Sequence, residues 1–257
     1  NETLTGKTME GSPCARCRVR WACRGVGLNS HQHGSPWNDT VLFLSNHISW
    51  SDSPMLGSLA PIRFLSKAEV GQWPLIGWLA RQAGTLFIHR GGGQARRVRG
   101  QIIENLQAGD NVLVYPEGTT SAGLTVLPFH GLLLRAAPES HTPIQPVTIT
   151  YRRDGRPDHL APFIGEDEFH SHLLRMLRQP SARVDVVVHE PVQSPEEVPT
   201  AELAASLRQT VLDGLTRVYS GKFDQQETNL LRTEDVPGLP HLPSLHGGRR
   251  SPDRSTG

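Results

Sequence analysis

The chain has 257 residues, long enough for one large domain or two small ones with a substantial core. Lys plus Arg number 26 against 25 Asp plus Glu, so neither a nucleic-acid partner nor an acidic tail protein is implied. Hydrophobic residues make up 37% and mean hydropathy is −0.36; no run of 18 or more apolar residues occurs, which excludes a membrane-spanning helix within the chain.

Residues 1–38 read as an irregular leader, because their apolar residues follow neither helical nor strand spacing. The chain begins at Asn1 with no basic-then-apolar signal layout, and an upstream anchor segment is compatible with that start. The three cysteines, Cys14, Cys17 and Cys23, all lie in this leader. With His31 or His33 they could form a zinc set, but the single Cys-x-x-Cys pair has no matching second pair, so reduced thiols and no metal are expected. Arg16, Arg18, Arg20 and Arg24 around Trp21 suit either a headgroup layer or a solvated segment.

The expected core covers 39–222. Val41–Leu44 is short, apolar and β-rich, and predicts a buried strand. A helix is expected from Ser53 to Leu59, a strand at Arg63–Ser66, a proline-opened helix at Pro74–Gln82 and a strand at Thr85–Ile88. Gly91–Gly93 leads into a predicted helix, Gln94–Ala108, with Ala95, Val98, Ile102, Ile103 and Leu106 on one face and Gly109 at its end. Strands at Asn111–Tyr115 and Ile144–Tyr151 flank a short helix at His130–Ala137. A helix at Asp167–Leu177, a strand at Arg183–His189 and a long helix at Pro199–Tyr219 follow, the last with Leu203, Leu207, Val211, Leu215 and Val218 as its core stripe. Residues 223–257, rich in Pro, Gly, His and charge, are expected to be a disordered tail. Strands alternating with helices predict an α/β fold: a mixed, partly parallel central sheet flanked by helices.

Three segments could carry chemistry. In Asn46-His47-Ile48-Ser49-Trp50-Ser51-Asp52, a helical turn after Trp50 would fold Asp52 back to the His47 imidazole. A carboxylate that accepts from one ring nitrogen leaves the other basic. The same spacing also suits a polar turn in which Asp52 only caps a helix. Secondly, Gly84-Thr85-Leu86-Phe87-Ile88-His89-Arg90 ends on an arginine before three glycines, a natural anion site at a helix start. Arg96, Arg97 and Arg99 suit a solvated basic face better, and no Gly-Lys-Ser/Thr makes the glycines a phosphate loop. Thirdly, Val112–Tyr115 runs into Pro116-Glu117-Gly118-Thr119-Thr120, a turn able to hold a polar headgroup or to serve as an ordinary loop.

Taken in order, these segments resemble the glycerolipid acyltransferase family, of which bacterial 1-acylglycerol-3-phosphate acyltransferase is a member. His47 and Asp52 match its His-x-x-x-x-Asp block; Gly84, Phe87 and Arg90, with Lys67 upstream, match the second; Glu117, Gly118 and Thr119 the third; Pro143-Ile144-Gln145-Pro146-Val147 the fourth. The match covers roughly residues 41–151. The resemblance implies that His47 is the general base on a lysolipid hydroxyl and that Asp52 supports the imidazolium. It implies that Arg90 and Lys67 pair with an acceptor phosphate, and that Glu117, Gly118, Thr119 and Thr120 lie at the acceptor pocket. Acyl-coenzyme A or acyl carrier protein would be the co-substrate, with no further cofactor. A phosphate acceptor, 1-acylglycerol-3-phosphate, comes first on Arg90. Thr120 departs from the family, which often carries Arg there; lyso-ornithine lipid is the alternative acceptor, and a silent lipid-binding protein on the same fold the alternative of another class. The work is expected at the cytoplasmic face of the inner membrane, with Trp73–Leu79 either an interfacial segment or a packed helix.

Overall fold

In the computed structural model the described residues are 23–67, 85–88, 94–193 and 197–224. The strands are β1 (Leu28–His33), β2 (Leu42–Ser45), β3 (Ile62–Lys67), β4 (Leu86–Ile88), β5 (Asn111–Val114), β6 (Ile144–Arg153), β7 (Arg156–Pro157) and β8 (Ala182–Val188). The helices are α1 (Asp52–Gly57), α2 (Gln94–Gln107), α3 (Ala136–Glu139), α4 (Phe169–Leu177) and α5 (Thr200–Tyr219). All strands join one sheet in the order β1-β8-β6-β2-β5-β3-β4, with β7 paired to β6. Every pairing is parallel except β6 with β7 and with β8. The expected mixed α/β fold is what forms, with a sheet that is mostly parallel where a partly parallel one was expected.

Side chains alternate across a strand, so β2 feeds both faces. Val41 and Phe43 join Leu113, Ile149, Val184, Val186 and Val188 on one side, where Met55 and Leu56 of α1 and Met176 of α4 close the layer. Leu42 and Leu44 join Val112, Val114 and Ile144 on the other, under α2, α3 and α5. The α5 stripe is buried as its spacing requires, and each such side chain contributes roughly 1.5–3 kcal/mol on burial. On α2, Val98, Ile102 and Leu106 are buried, whereas Ala95, one turn nearer the start, is exposed.

Three expectations are corrected, and a hairpin is added to what was expected. The sheet begins inside the segment read as leader: Leu-Asn-Ser-His-Gln-His forms β1, parallel to β8. It buries one apolar side chain, Leu28, and is held instead by charge, because His33 Nε2 lies 3.1 Å from Asp185 Oδ1. Arg152 and Arg183 donate to the same carboxylate at 2.9 Å. Burial pushes the Asp185 carboxyl up, but the His33, Arg183 and Arg152 hydrogen bonds together bring it well below the ordinary carboxylate range. At the other end Phe223, placed in the tail, is buried, stacks on His33 with ring centroids 4.2 Å apart and lies under Arg217. The helix expected at His130–Ala137 is a run of turns up to Arg135, with α3 only from Ala136. A hairpin follows β6, turning at Asp154 and Gly155, both at positive φ as a two-residue hairpin loop requires. The Pro74–Gln82 helix and the chain beyond Asp224 lie outside the described residues.

Candidate active site

Strands β2, β5, β3 and β4 run parallel, so their carboxyl ends share one edge of the sheet, where open α/β sheets bind ligands. β2 ends two residues before His47, and β5, its hydrogen-bonded neighbour, ends three before Glu117. That adjacency brings the first and third segments together although 70 residues separate them.

The chain leaves β2 through a buried asparagine. Asn46 Nδ2 donates to Ile149 O and its Oδ1 accepts from Ile149 N, both at 2.9 Å, tying the strand end to β6. The next residues turn back before α1. Asp52, fully buried at the helix start, collects the turn: its Oδ2 accepts from His47 Nδ1 at 2.8 Å, Ile48 N at 2.6 Å and Ser49 N at 3.0 Å. Its other oxygen accepts from the Tyr151 hydroxyl at 2.7 Å. Asp52 is therefore more than a cap. It fixes the imidazole tautomer with the proton on Nδ1, which leaves Nε2 the lone-pair nitrogen. The His47 side chain keeps 21% of its surface exposed, whereas Asp52 is fully buried. The ring stacks on Tyr115, centroids 3.9 Å apart and planes 13° from parallel. Burial, and next the charge of Asp52, push the Tyr115 phenol well above its ordinary value, so it stays neutral against the ring.

Glu117 takes a part that its motif does not announce. The side chain is buried, and its two oxygens accept from His47 N at 2.7 Å and Leu127 N at 2.9 Å. It clamps the backbone that carries the imidazole. Burial raises its carboxyl above the usual value, and the two backbone N–H bonds act against that rise. Ser121 N completes the clamp by donating to His47 O at 2.8 Å. Gly118 and Thr119 are exposed beside it. The Thr120 hydroxyl donates to Phe163 O, while Phe163 N donates to Ile48 O at 2.9 Å, so a third loop is drawn onto the turn. Behind it Trp50 Nε1 donates to Nδ1 of the buried His172 at 3.0 Å, and His172 Nε2 donates to Pro162 O at 3.2 Å. Burial depresses His172 below its ordinary value, consistent with one donor and one acceptor nitrogen.

Gln145, from the fourth segment, is a clip rather than a contact: it accepts from Trp37 N and donates to Ser35 O and His189 O. Lys67 ends β3 in register with Ile88 of β4; its side chain, like Gly84 and Arg90, lies outside the described residues. A surface groove of about 650 Å³ next to this region is lined by Phe129, His130, Gly131, Ala204 and Arg208; neither His47 nor Asp52 lines it. Among the described residues no cluster of His, Cys, Asp and Glu suits a metal. Cys23 is buried, and burial raises its thiol to about 11. No described helix is long and apolar enough to cross a membrane. Tyr151 and His172 carried no sequence signal, since each meets the turn from a distant segment; Asn46 and Tyr115 lie inside two of the segments singled out, but nothing in the sequence gave them a part.

The acyltransferase family profile matches residues 28–150. The lyso-ornithine lipid O-acyltransferase of Pseudomonas aeruginosa is 45% identical over 204 residues, 78% of this chain and 79% of the relative. That of Rhodobacter capsulatus is 33% identical, covering 77% and 74%. The 1-acyl-sn-glycerol-3-phosphate acyltransferase of Neisseria gonorrhoeae is 31% identical, covering 60% and 68%. The crystal structure of the 1-acyl-sn-glycerophosphate acyltransferase PlsC from Thermotoga maritima superposes with a TM-score of 0.62 over 84% of both chains, at 24% identity, a likeness of fold.

Proposed function

This chain belongs to the acyltransferase family, and with that given we propose that it esterifies the free hydroxyl of lyso-ornithine lipid with a fatty acyl group from an acyl thioester. His47 Nε2 takes the hydroxyl proton as the oxygen attacks the thioester carbonyl carbon. The C–O bond forms, the C–S bond breaks, and the departing thiolate takes the proton back from the imidazolium. Asp52 balances the charge on the ring while it lasts. Such general-base help is worth roughly 10²–10⁴-fold. The donor, acyl-coenzyme A or acyl carrier protein, leaves as a free thiol, so no acyl-enzyme is needed. The acceptor is a membrane lipid, and the reaction belongs at the cytoplasmic face, where both donors are made. Arg90 and Lys67 are proposed at the acceptor headgroup, with Gly118, Thr119 and Thr120 at the pocket wall.

One observation carries the choice of acceptor: the 45% identity to the lyso-ornithine lipid O-acyltransferase of Pseudomonas aeruginosa over most of both chains. Thr120 agrees with it. Its hydroxyl is engaged by the Phe163 carbonyl, and no guanidinium stands there to grip a phosphate in a bidentate way. The residues alone put the phosphate-bearing acceptor first; the relative moves lyso-ornithine lipid ahead of it.

The test is an acceptor panel with purified protein and His47→Ala beside it, following acylated product. Lyso-ornithine lipid should exceed lysophosphatidate in kcat/KM by at least about 10-fold, and His47→Ala should lose roughly 10²–10⁴-fold. Preference for lysophosphatidate would overturn the acceptor; an undiminished His47→Ala would overturn the base.

A further inference from the structure

Asp52 is held by two sets of donors of different origin. Three come from its own turn, His47 Nδ1, Ile48 N and Ser49 N, and all converge on Oδ2. These can follow the carboxylate if it swings, because they belong to the same short segment. The fourth comes from the sheet: Tyr151, in β6, reaches Oδ1 from 99 residues away. Tyr151 is fully buried, with the fully buried Ser51 2.8 Å from its hydroxyl. The phenol has one proton, and the ionised carboxylate can only accept, so that proton goes to Asp52 and Ser51 must donate to the phenol oxygen. The result is a directed chain, Ser51 to Tyr151 to Asp52, meeting His47 on the other oxygen.

We infer that Tyr151 is a positioning residue of the reaction: it fixes the plane of the Asp52 carboxylate from the rigid sheet and so aims the imidazole, without touching substrate. The inference rests on the reading of His47 as base. It fits the local build, since a carboxylate pinned at one oxygen only can rotate about its Cβ–Cγ bond, and sites held by a strand are more sharply defined than sites held by their own loop. Burial, and next the Asp52 charge, keep the Tyr151 phenol far above its ordinary range, so it remains a donor throughout the working pH. The charged and titratable groups around the pair are few and placed: Tyr115 on the ring face, Glu117 on the His47 backbone, and His172 beyond Trp50.

The experiment is Tyr151→Phe, which keeps the ring and removes only the hydroxyl, assayed with the better acceptor of the panel over a pH series, with His47→Ala as control. We expect kcat to fall about 10-fold while donor and acceptor KM stay within about 2-fold, the signature of an interaction that matters in the transition state. The acid limb of kcat/KM should move to higher pH, because a carboxylate relieved of one donor holds the imidazolium more tightly. An unchanged kcat with an unmoved limb overturns the assignment. So does a fall in kcat with an unmoved limb and a matching loss of thermal stability, which marks a packing role alone. If Tyr151→Phe does not fold, Ser51→Ala reads the same chain one step back: a smaller loss of kcat with the limb shifted the same way supports it, and wild-type kinetics overturn it. An active His47→Ala would instead count against the base itself, whatever Tyr151→Phe does.

Discussion

Glu117→Gln separates a clamp on the His47 backbone from a contact with the acceptor. In the wild type each carboxylate oxygen accepts one backbone N–H, from His47 at 2.7 Å and Leu127 at 2.9 Å. Glutamine keeps one acceptor and turns the other into an NH₂ that faces an N–H. One backbone donor is then left buried without a partner, at about 1–3 kcal/mol, and the remaining bond loses its charge assistance. For a domain of this size that predicts a fall in Tm of roughly 2–12 °C. The unpaired donor pushes the His47 backbone off its place, and a shift near 1 Å in a reacting group costs about 10²-fold. Steady-state kinetics should therefore show kcat reduced about 10²-fold with the acceptor KM within about 3-fold. A raised acceptor KM at undiminished kcat would refute the clamp and make Glu117 a headgroup ligand.

Two further outcomes follow from packing and burial. Gly214 of α5 crosses β6 so closely that a Cβ there would stand 2.3 Å from Thr148 Oγ1 and 2.7 Å from His189 Nε2; Gly214→Ala should lose about 1–3 kcal/mol in urea unfolding, and an unchanged midpoint would refute that closeness. Burial, and next Arg217, hold His189 down to about 4 against its ordinary 6.5. The unfolded chain then binds the extra proton first as pH falls. The stability from keeping this ring neutral is whole above about 6.5 and is lost between 6.5 and 4, up to about 3 kcal/mol. His189→Gln should flatten that part of the stability–pH curve, and an identical slope in both proteins would count against it.

What could be read from the chain followed from local pattern. β2 is a short apolar run, β5 and β8 are short valine-rich runs, α5 carries an unbroken stripe, and each lies within a residue or two of its expected bounds. His47 and Asp52 share one turn, so five residues of spacing sufficed to suggest their bond. β1 escaped because an edge strand held by His33, Asp185 and arginines needs no alternating apolar residues. Glu117 was placed by its motif but not aimed: only the pairing of β2 with β5 turns its carboxylate to the His47 backbone. Tyr151 and His172 lie 99 and 122 residues from the partners they hold, and no window of sequence spans such distances.

The strand order has a consequence for how the enzyme comes into being. β2 sits between β5 and β6, and neither is near it in the chain. The turn that carries His47 is tied down by Glu117, Tyr151 and Phe163, so a growing polypeptide holds an unbraced imidazole until more than a hundred further residues have emerged. Such high contact order makes folding slow relative to local helices. It also makes this site the last thing assembled: a truncated product of interrupted synthesis carries the histidine and the aspartate but not the scaffold that holds them in place.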